Sequence, residues 1–164
     1  MSVVTQSRHV SSPVAKVWEA LSDFGGVHRF AAGVKSSPII KGTPDRGVGS
    51  ERSCTLYDGN TVLERVTESI ENKRISVEIF ESSMPIKTAD ATFTLAPAAG
   101  GGTDIIVTME YVVKYGPIGV AMDVLMMRSA MNATFENLLA GLDHHLQTGE
   151  SIGNGWKPQV AVAS

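Results

Sequence analysis

"GPIGVAMDVLMMRSAMNATFENLLAGLDHHLQTG", Gly116 to Gly149, is the stretch on which the fold turns. Gly116-Pro117 puts a proline at a first helical position, and Gly149 stands where a helix stops. Between them Val120, Val124, Met127, Met131, Phe135, Leu138, Leu142 and Leu146 advance by three or four, which places them on one helical face. Asp123, Ser129, Asn132, Glu136 and Asp143 fall on the opposite side. A stripe of about seven turns needs a long apolar surface to lie on. Four of the seven methionines crowd into Val120–Met131. Methionine is a flexible filler, suited to an irregular core or to a cavity wall. Met127 and Met131 belong to the stripe. Met122 and Met126 lie to one side, where packing on short N-terminal helices or over a cavity mouth is expected.

The surface for that helix is legible upstream. From Val34 the apolar period is two, and strands are expected over 34–41, 48–57, 61–71, 74–82, 86–96 and 103–115. "TPDRG", "YDGN" and "AAGGG" supply turns between them, so the strands form an antiparallel meander. Alternation assigns one face to Cys54 and Leu56; to Ile75, Val77 and Ile79; to Ala89, Ala91, Phe93 and Leu95; and to Ile105, Val107, Met109, Tyr111 and Val113. Ile106 and Val112 blur the other face of the last strand. Residues 2–10 read as a first strand. In "SSPVAKVWEALSDFGG", Ser12 can cap a helix, Pro13 can begin it, and Gly25 and Gly26 can end it. A second short helix is expected from Val27 to Ala32. The expected architecture is α+β, a curved antiparallel sheet of about seven strands. Two short helices follow its first strand, and one long C-terminal helix packs across it. Residues 1–149 form one domain in this reading, and 150–164 an irregular tail that Trp156 could anchor.

Composition narrows the partners. A net charge of -3 without a Lys/Arg run leaves nothing to neutralise phosphates, so no nucleic acid is expected. One cysteine, Cys54, permits no internal disulfide, which fits a reducing cytoplasm. No stretch nears the ~20 apolar residues of a membrane span, and the start lacks a signal-peptide pattern. The four histidines have no metal-ligand spacing, and "GVGSER" lacks the Gly-Lys-Ser/Thr of a phosphate loop. No metal or cofactor is expected.

Three stretches carry a resemblance: "SSPVAKVWEALSDF", "GVGSERSCTLYDG…VLERVTESIENKRISVEI" and "TFENLLAGLDHHLQTG". Through them the chain resembles the START-like, or SRPBCC, superfamily over about residues 2–148. The likeness is greatest to its bacterial polyketide cyclase/dehydrase and lipid-transport branch, which has the helix-grip fold. The resemblance implies a cavity between sheet and helix for a hydrophobic molecule such as a lipid, a polyketide or a hormone. Met127, Met131 and Phe135 would line it from the helix, and Cys54, Leu56, Val77, Ile79, Phe93, Met109 and Tyr111 from the sheet.

Glu64 is the most informative polar residue. It shares a face with Val62, Val66 and Ile70 in "TVLERVTESI", where an unpaired carboxylate is costly. Arg52 falls on the inner face two residues before Cys54, within reach of Glu64 or Glu68 as a partner. Abscisic acid receptors, similar to this chain at the superfamily level, carry a cavity lysine and a glutamate in stretches resembling those of Lys35 and Glu64. By that likeness Lys35 and Glu64 would form a buried polar pair. The receptors' Ser-Gly-Leu-Pro-Ala gate is replaced here by Tyr57-Asp58-Gly59-Asn60, which argues against a hormone-gated switch. Tyr57 and Tyr111 are hydrogen donors near the expected cavity mouth. Lys87 falls inward by strict alternation, at a strand start that favours an exit to solvent.

Three functions fit these residues. The first is binding of a hydrophobic small molecule, with one or two polar anchors. The second is a cyclase or dehydratase without metal or nucleotide cofactor, drawing acid–base groups from Glu64, Lys35, Tyr57 and Tyr111. The third is a protein-interaction module or homodimer using Trp156 and the apolar "VAVAS" end.

Overall fold

Seven strands pair in the order β1-β7-β6-β5-β4-β3-β2 in the computed structural model, which describes residues 1–158. They are β1 (Ser2–Val10), β2 (Val34–Ser36), β3 (Glu51–Leu56), β4 (Thr61–Ile70), β5 (Arg74–Ser82), β6 (Ile86–Pro97) and β7 (Thr103–Val113). All the pairings are antiparallel, and β1 closes on β7 from Ser2↔Tyr111 to Val10↔Thr103. The inner face follows the alternation: Ile75, Val77, Ile79, Ala89, Ala91, Leu95, Ile105, Val107, Met109 and Tyr111 are buried. Ile106 and Val112 are exposed, which settles the ambiguous face of β7.

Two expected strands are shorter than their apolar pattern suggested. β2 ends at Ser36, because Pro38 has no N–H to continue the ladder, and only an isolated bridge joins Ile39 to Arg52. β3 begins at Glu51, after Gly47 and Gly49 with φ of 80° and 91°. β4 carries irregularities at Leu63/Glu64 and Val66/Glu68. The second re-aims the strand end, so Glu68 pairs with Arg74 near solvent (Oε1–Nη2 2.7 Å).

The helix α1 (Val14–Ser22) begins one residue after Pro13, which is its N-cap with extended backbone (ψ 156°) and not its first helical residue. Ser12 does not cap it; it is buried, and its carbonyl accepts from Thr103 Oγ1 at 2.8 Å. The second short helix is a 3-10 segment over Phe24–Arg29, so Gly25 and Gly26 lie inside it and do not end α1. Ser37 secures this tight turn: its hydroxyl donates to the Gly25 carbonyl at 2.8 Å and accepts from the His28 N–H at 3.3 Å.

The C-terminal helix runs from Gly116 to Thr148 with one fault. α2 (Gly116–Met122) leads into a π-helical turn over Asp123–Met127, and α3 (Arg128–Thr148) follows. Tyr115 (φ 71°) opens it and Gly149 (φ 74°) closes it. The π turn accommodates about one extra residue and rotates the preceding helix by roughly 100°. The expected stripe therefore fails at its beginning. Val120 and Val124 are exposed, and Asp123, expected outside, is 2% exposed. Met122 and Met126 face solvent and do not pack on the short helices. From Met131 onward the stripe holds, with Phe135, Leu142 and Leu146 buried. α3 crosses β1, where Asn132 accepts from Gln6 at 3.0 Å and Asp143 meets Arg8 at 3.6 Å.

After α3 the chain folds back. The Ile152 N–H donates to the Arg29 carbonyl at 2.8 Å, and Trp156 lies against His144, ring centroids 5.3 Å apart. The "VAVAS" end lies outside the described residues. Among the described residues no helix is long and apolar enough to cross a membrane.

Candidate ligand site

The sheet curves away from α3 and leaves a cavity of two lobes. The first, about 90 Å³, is lined by Leu21, Phe24, Phe30, Ile75, Val77, Ala91 and Phe93. The second, about 150 Å³, is lined by Val34, Cys54, Leu56, Val62, Met84, Ile86, Met131 and Thr134. Val27, Arg52, Glu64, Ile79, Met109, Phe135 and Leu138 line both. The alanine at position 91 leaves room on the sheet that a larger side chain would fill.

One ion pair stands between the lobes. Arg52 and Glu64 are register partners on β3 and β4, and Arg52 Nε donates to Glu64 Oε2 at 2.5 Å. Arg52 Nη1 donates to the Phe24 carbonyl at 2.9 Å, and the guanidinium carbon lies 3.9 Å from the Phe24 ring centroid. This stacking joins the 3-10 segment to the sheet. Both side chains are largely withdrawn from water, at 11% and 16% exposure. Cys54 Sγ donates to Glu64 Oε2 at 3.4 Å. Burial, with the Glu64 charge beside it, pushes the Cys54 thiol up to about 12. It is a neutral wall residue at ordinary pH, not a nucleophile.

The expected site residues divide into two groups. Cys54, Leu56, Glu64, Val77, Ile79, Phe93, Met109, Met131 and Phe135 line the cavity. Lys35 does not; it is exposed at the short edge strand β2, and the partner of Glu64 is Arg52. Tyr57 faces solvent just beyond β3, Lys87 is exposed at the start of β6, and Met127 is half-buried outside both lobes. Leu21, Phe24, Val27 and Phe30 were not among the expected lining. "DFGGVHRF" does place Phe24 and Phe30 on either side of a glycine pair, a signal that they cap something in common.

Tyr111 is buried as expected but serves another cluster. Its hydroxyl donates to Asp123 Oδ1, while Ser2 Oγ donates to Oδ2 at 2.5 Å and Arg128 Nη2 lies 3.5 Å away. Burial, then the Asp123 hydrogen bond and charge, raise the Tyr111 pKa. Burial works to raise that of Asp123 too, but the hydrogen bonds from Ser2 and Tyr111 and the Arg128 charge outweigh it and hold the carboxyl below its ordinary value.

A curved antiparallel sheet, a long helix across it and an apolar cavity between them define the START-like helix-grip class. The chain belongs to the polyketide cyclase/dehydrase and lipid transport family, whose model matches residues 1–147. Solved structures agree in fold. A START superfamily protein from Mycobacterium smegmatis is similar with a TM-score of 0.73 at 17% identity, covering 88% of this chain and 97% of that one. TTHA0849 from Thermus thermophilus gives 0.74 at 19% identity over 92% and 100%. Ara h 8.0201 gives 0.66 at 18% over 90% and 98%. No curated protein sequence matches the chain.

Proposed function

We propose that this protein binds a hydrophobic small molecule in the two-lobed cavity, by burying the ligand's apolar surface and orienting it with Arg52 and Glu64. The observation that carries the reading is the pairing of two apolar lobes with one shared ion pair. Such cavities hold their ligands mostly by apolar contact and fix orientation with a few polar groups. Removing about 200 Å² of apolar ligand surface from water is worth about 5 kcal/mol, before the cost of association. Each lobe is below the ~300 Å³ of a typical ligand pocket, so the wall must adapt to a guest. Met131 is half-buried and flexible enough to do so.

Acid–base catalysis has less support. Of Glu64, Lys35, Tyr57 and Tyr111, only Glu64 reaches the cavity, and its carboxylate is held by Arg52. The Tyr111 hydroxyl is occupied by Asp123.

The test is uptake of N-phenyl-1-naphthylamine, an uncharged dye that brightens in apolar surroundings. Saturable brightening with the native chain, reduced at least about fivefold in Met131→Trp, is expected, a loss of about 1 kcal/mol. Circular dichroism checks that the variant is folded. Unchanged uptake in the folded variant removes the cavity from the function.

A further inference from the structure

We infer that the ligand is an uncharged molecule with a hydroxyl or carbonyl near the middle of its apolar frame. This rests on the cavity reading above and names the class of molecule that suits it.

The position of the ion pair sets where the oxygen must lie. Along β4 and β5, Glu64 stands opposite Ile79, between Val62, which faces the second lobe, and Val77, which faces the first. Arg52 and Glu64 are the charged residues of either lining, and both belong to both lobes. A ligand that fills the two lobes passes the pair at its waist. Its ends meet Ile75 and Phe93 on one side and Val62 and Ile86 on the other, which are hydrocarbon. A fatty acid, whose charge sits at one end, would set that charge at an apolar end of the cavity and offer the pair at the waist only hydrocarbon.

The chemistry of the pair sets the kind of oxygen. Arg52 Nε and Glu64 Oε2 already satisfy each other, so the waist carries a cation and an anion in balance. A ligand carboxylate drawn to Arg52 would lie beside Glu64 with little water to screen the repulsion. Among the described residues Arg52 Nη2 and Glu64 Oε1 have no hydrogen-bond partner, whereas Nε, Nη1 and Oε2 do. One is a donor and the other an acceptor. A hydroxyl satisfies both, donating to Oε1 and accepting from Nη2. A carbonyl satisfies Nη2 alone. A hydrocarbon that covers these two accessible groups leaves them unmatched, which is what discriminates against it.

A series of four tricyclic probes of nearly equal size tests this with the native chain. Fluorene has no oxygen, fluoren-9-ol a hydroxyl at the middle, fluoren-2-ol a hydroxyl at one end, and fluorene-9-carboxylate a central anion. Affinities are read by displacement of N-phenyl-1-naphthylamine. Fluoren-9-ol is expected to bind about tenfold more tightly than the other three, the effect of one well-placed hydrogen-bonded group. In Arg52→Met/Glu64→Leu the ratio of fluoren-9-ol to fluorene is expected to fall to about one. Equal binding of fluorene and fluoren-9-ol overturns the inference, as does carboxylate binding at least as tight as fluoren-9-ol. Equal binding of the two alcohols overturns the central position. A preference that survives in the double variant overturns the role of the pair. In each of these cases fluorene still binds and the cavity reading stands. Failure of all four probes and of the dye overturns the cavity reading itself.

Discussion

Arg52 and Glu64 face each other across β3 and β4, and their 2.5 Å contact divides an otherwise apolar cavity. Through Nη1 and its stacking on Phe24, the same guanidinium fastens the 3-10 segment to the sheet. One side chain thus shapes the cavity and holds part of its wall.

Removing one member of this pair leaves the other charged and poorly hydrated. Glu64→Leu is expected to cost about 3 kcal/mol in urea unfolding, while Arg52→Met/Glu64→Leu recovers most of that loss. A double variant no more stable than Glu64→Leu would contradict a desolvated pair.

Cys54 is shielded by burial and by the neighbouring carboxylate, and its thiol pKa is pushed up to about 12. Native protein is expected to resist a thiol-specific disulfide reagent near pH 8, with full reaction after unfolding in urea. Rapid reaction of the native thiol would show an open or ionised site.

The Tyr111–Asp123 contact gives stability a defined pH dependence. Asp123 is depressed in the folded chain, so its contribution is complete above about pH 4 and is lost as pH falls through the folded value. Tyr111 is raised, so its contribution is complete below about pH 10 and is lost as pH climbs through the folded value. Asp123→Asn is expected to cost about 2 kcal/mol at neutral pH. The gap from the native chain should narrow between about pH 5 and about pH 2. A gap that stays constant over that range would separate the carboxylate from the stability of the π turn.

Gly141 faces the Phe30 carbonyl where α3 passes the end of the 3-10 segment, and a Cβ there would overlap that oxygen. Gly141→Ala is expected to lower stability by about 2 kcal/mol despite alanine's better helix propensity. A rise in Tm would show that the two elements are not in contact.

The strand faces, the helix ends and most of the cavity wall were legible, because alternation, turn residues and a three-to-four spacing report burial directly. The errors occur where a long-range partner decides. Periodicity placed Val120 and Val124 inward and Asp123 outward. One π turn reverses this, and the partners that hold Asp123 inward, Ser2 and Tyr111, are distant from it in sequence. Likeness to a receptor lysine favoured Lys35 as the partner of Glu64, although alternation had already turned Arg52 inward. Lys35 follows Val34 in β2, and since Val34 lines the cavity, alternation turns Lys35 outward. Phe24 opens and Phe30 directly follows a 3-10 segment whose geometry is held by Ser37, beyond the reach of a local pattern.

The methionines allow the most direct test of a ligand between the sheet and α3. Met109 and Met131 line the cavity, whereas Met122 and Met126 face solvent on α2 and the π turn. With 13C-labelled methionine methyl groups, NMR can follow all of them during titration with fluoren-9-ol. Saturable shifts at Met109 and Met131, with Met122 and Met126 still, are the expected result. Shifts confined to Met122 and Met126, or none at any methionine, would contradict binding in the cavity.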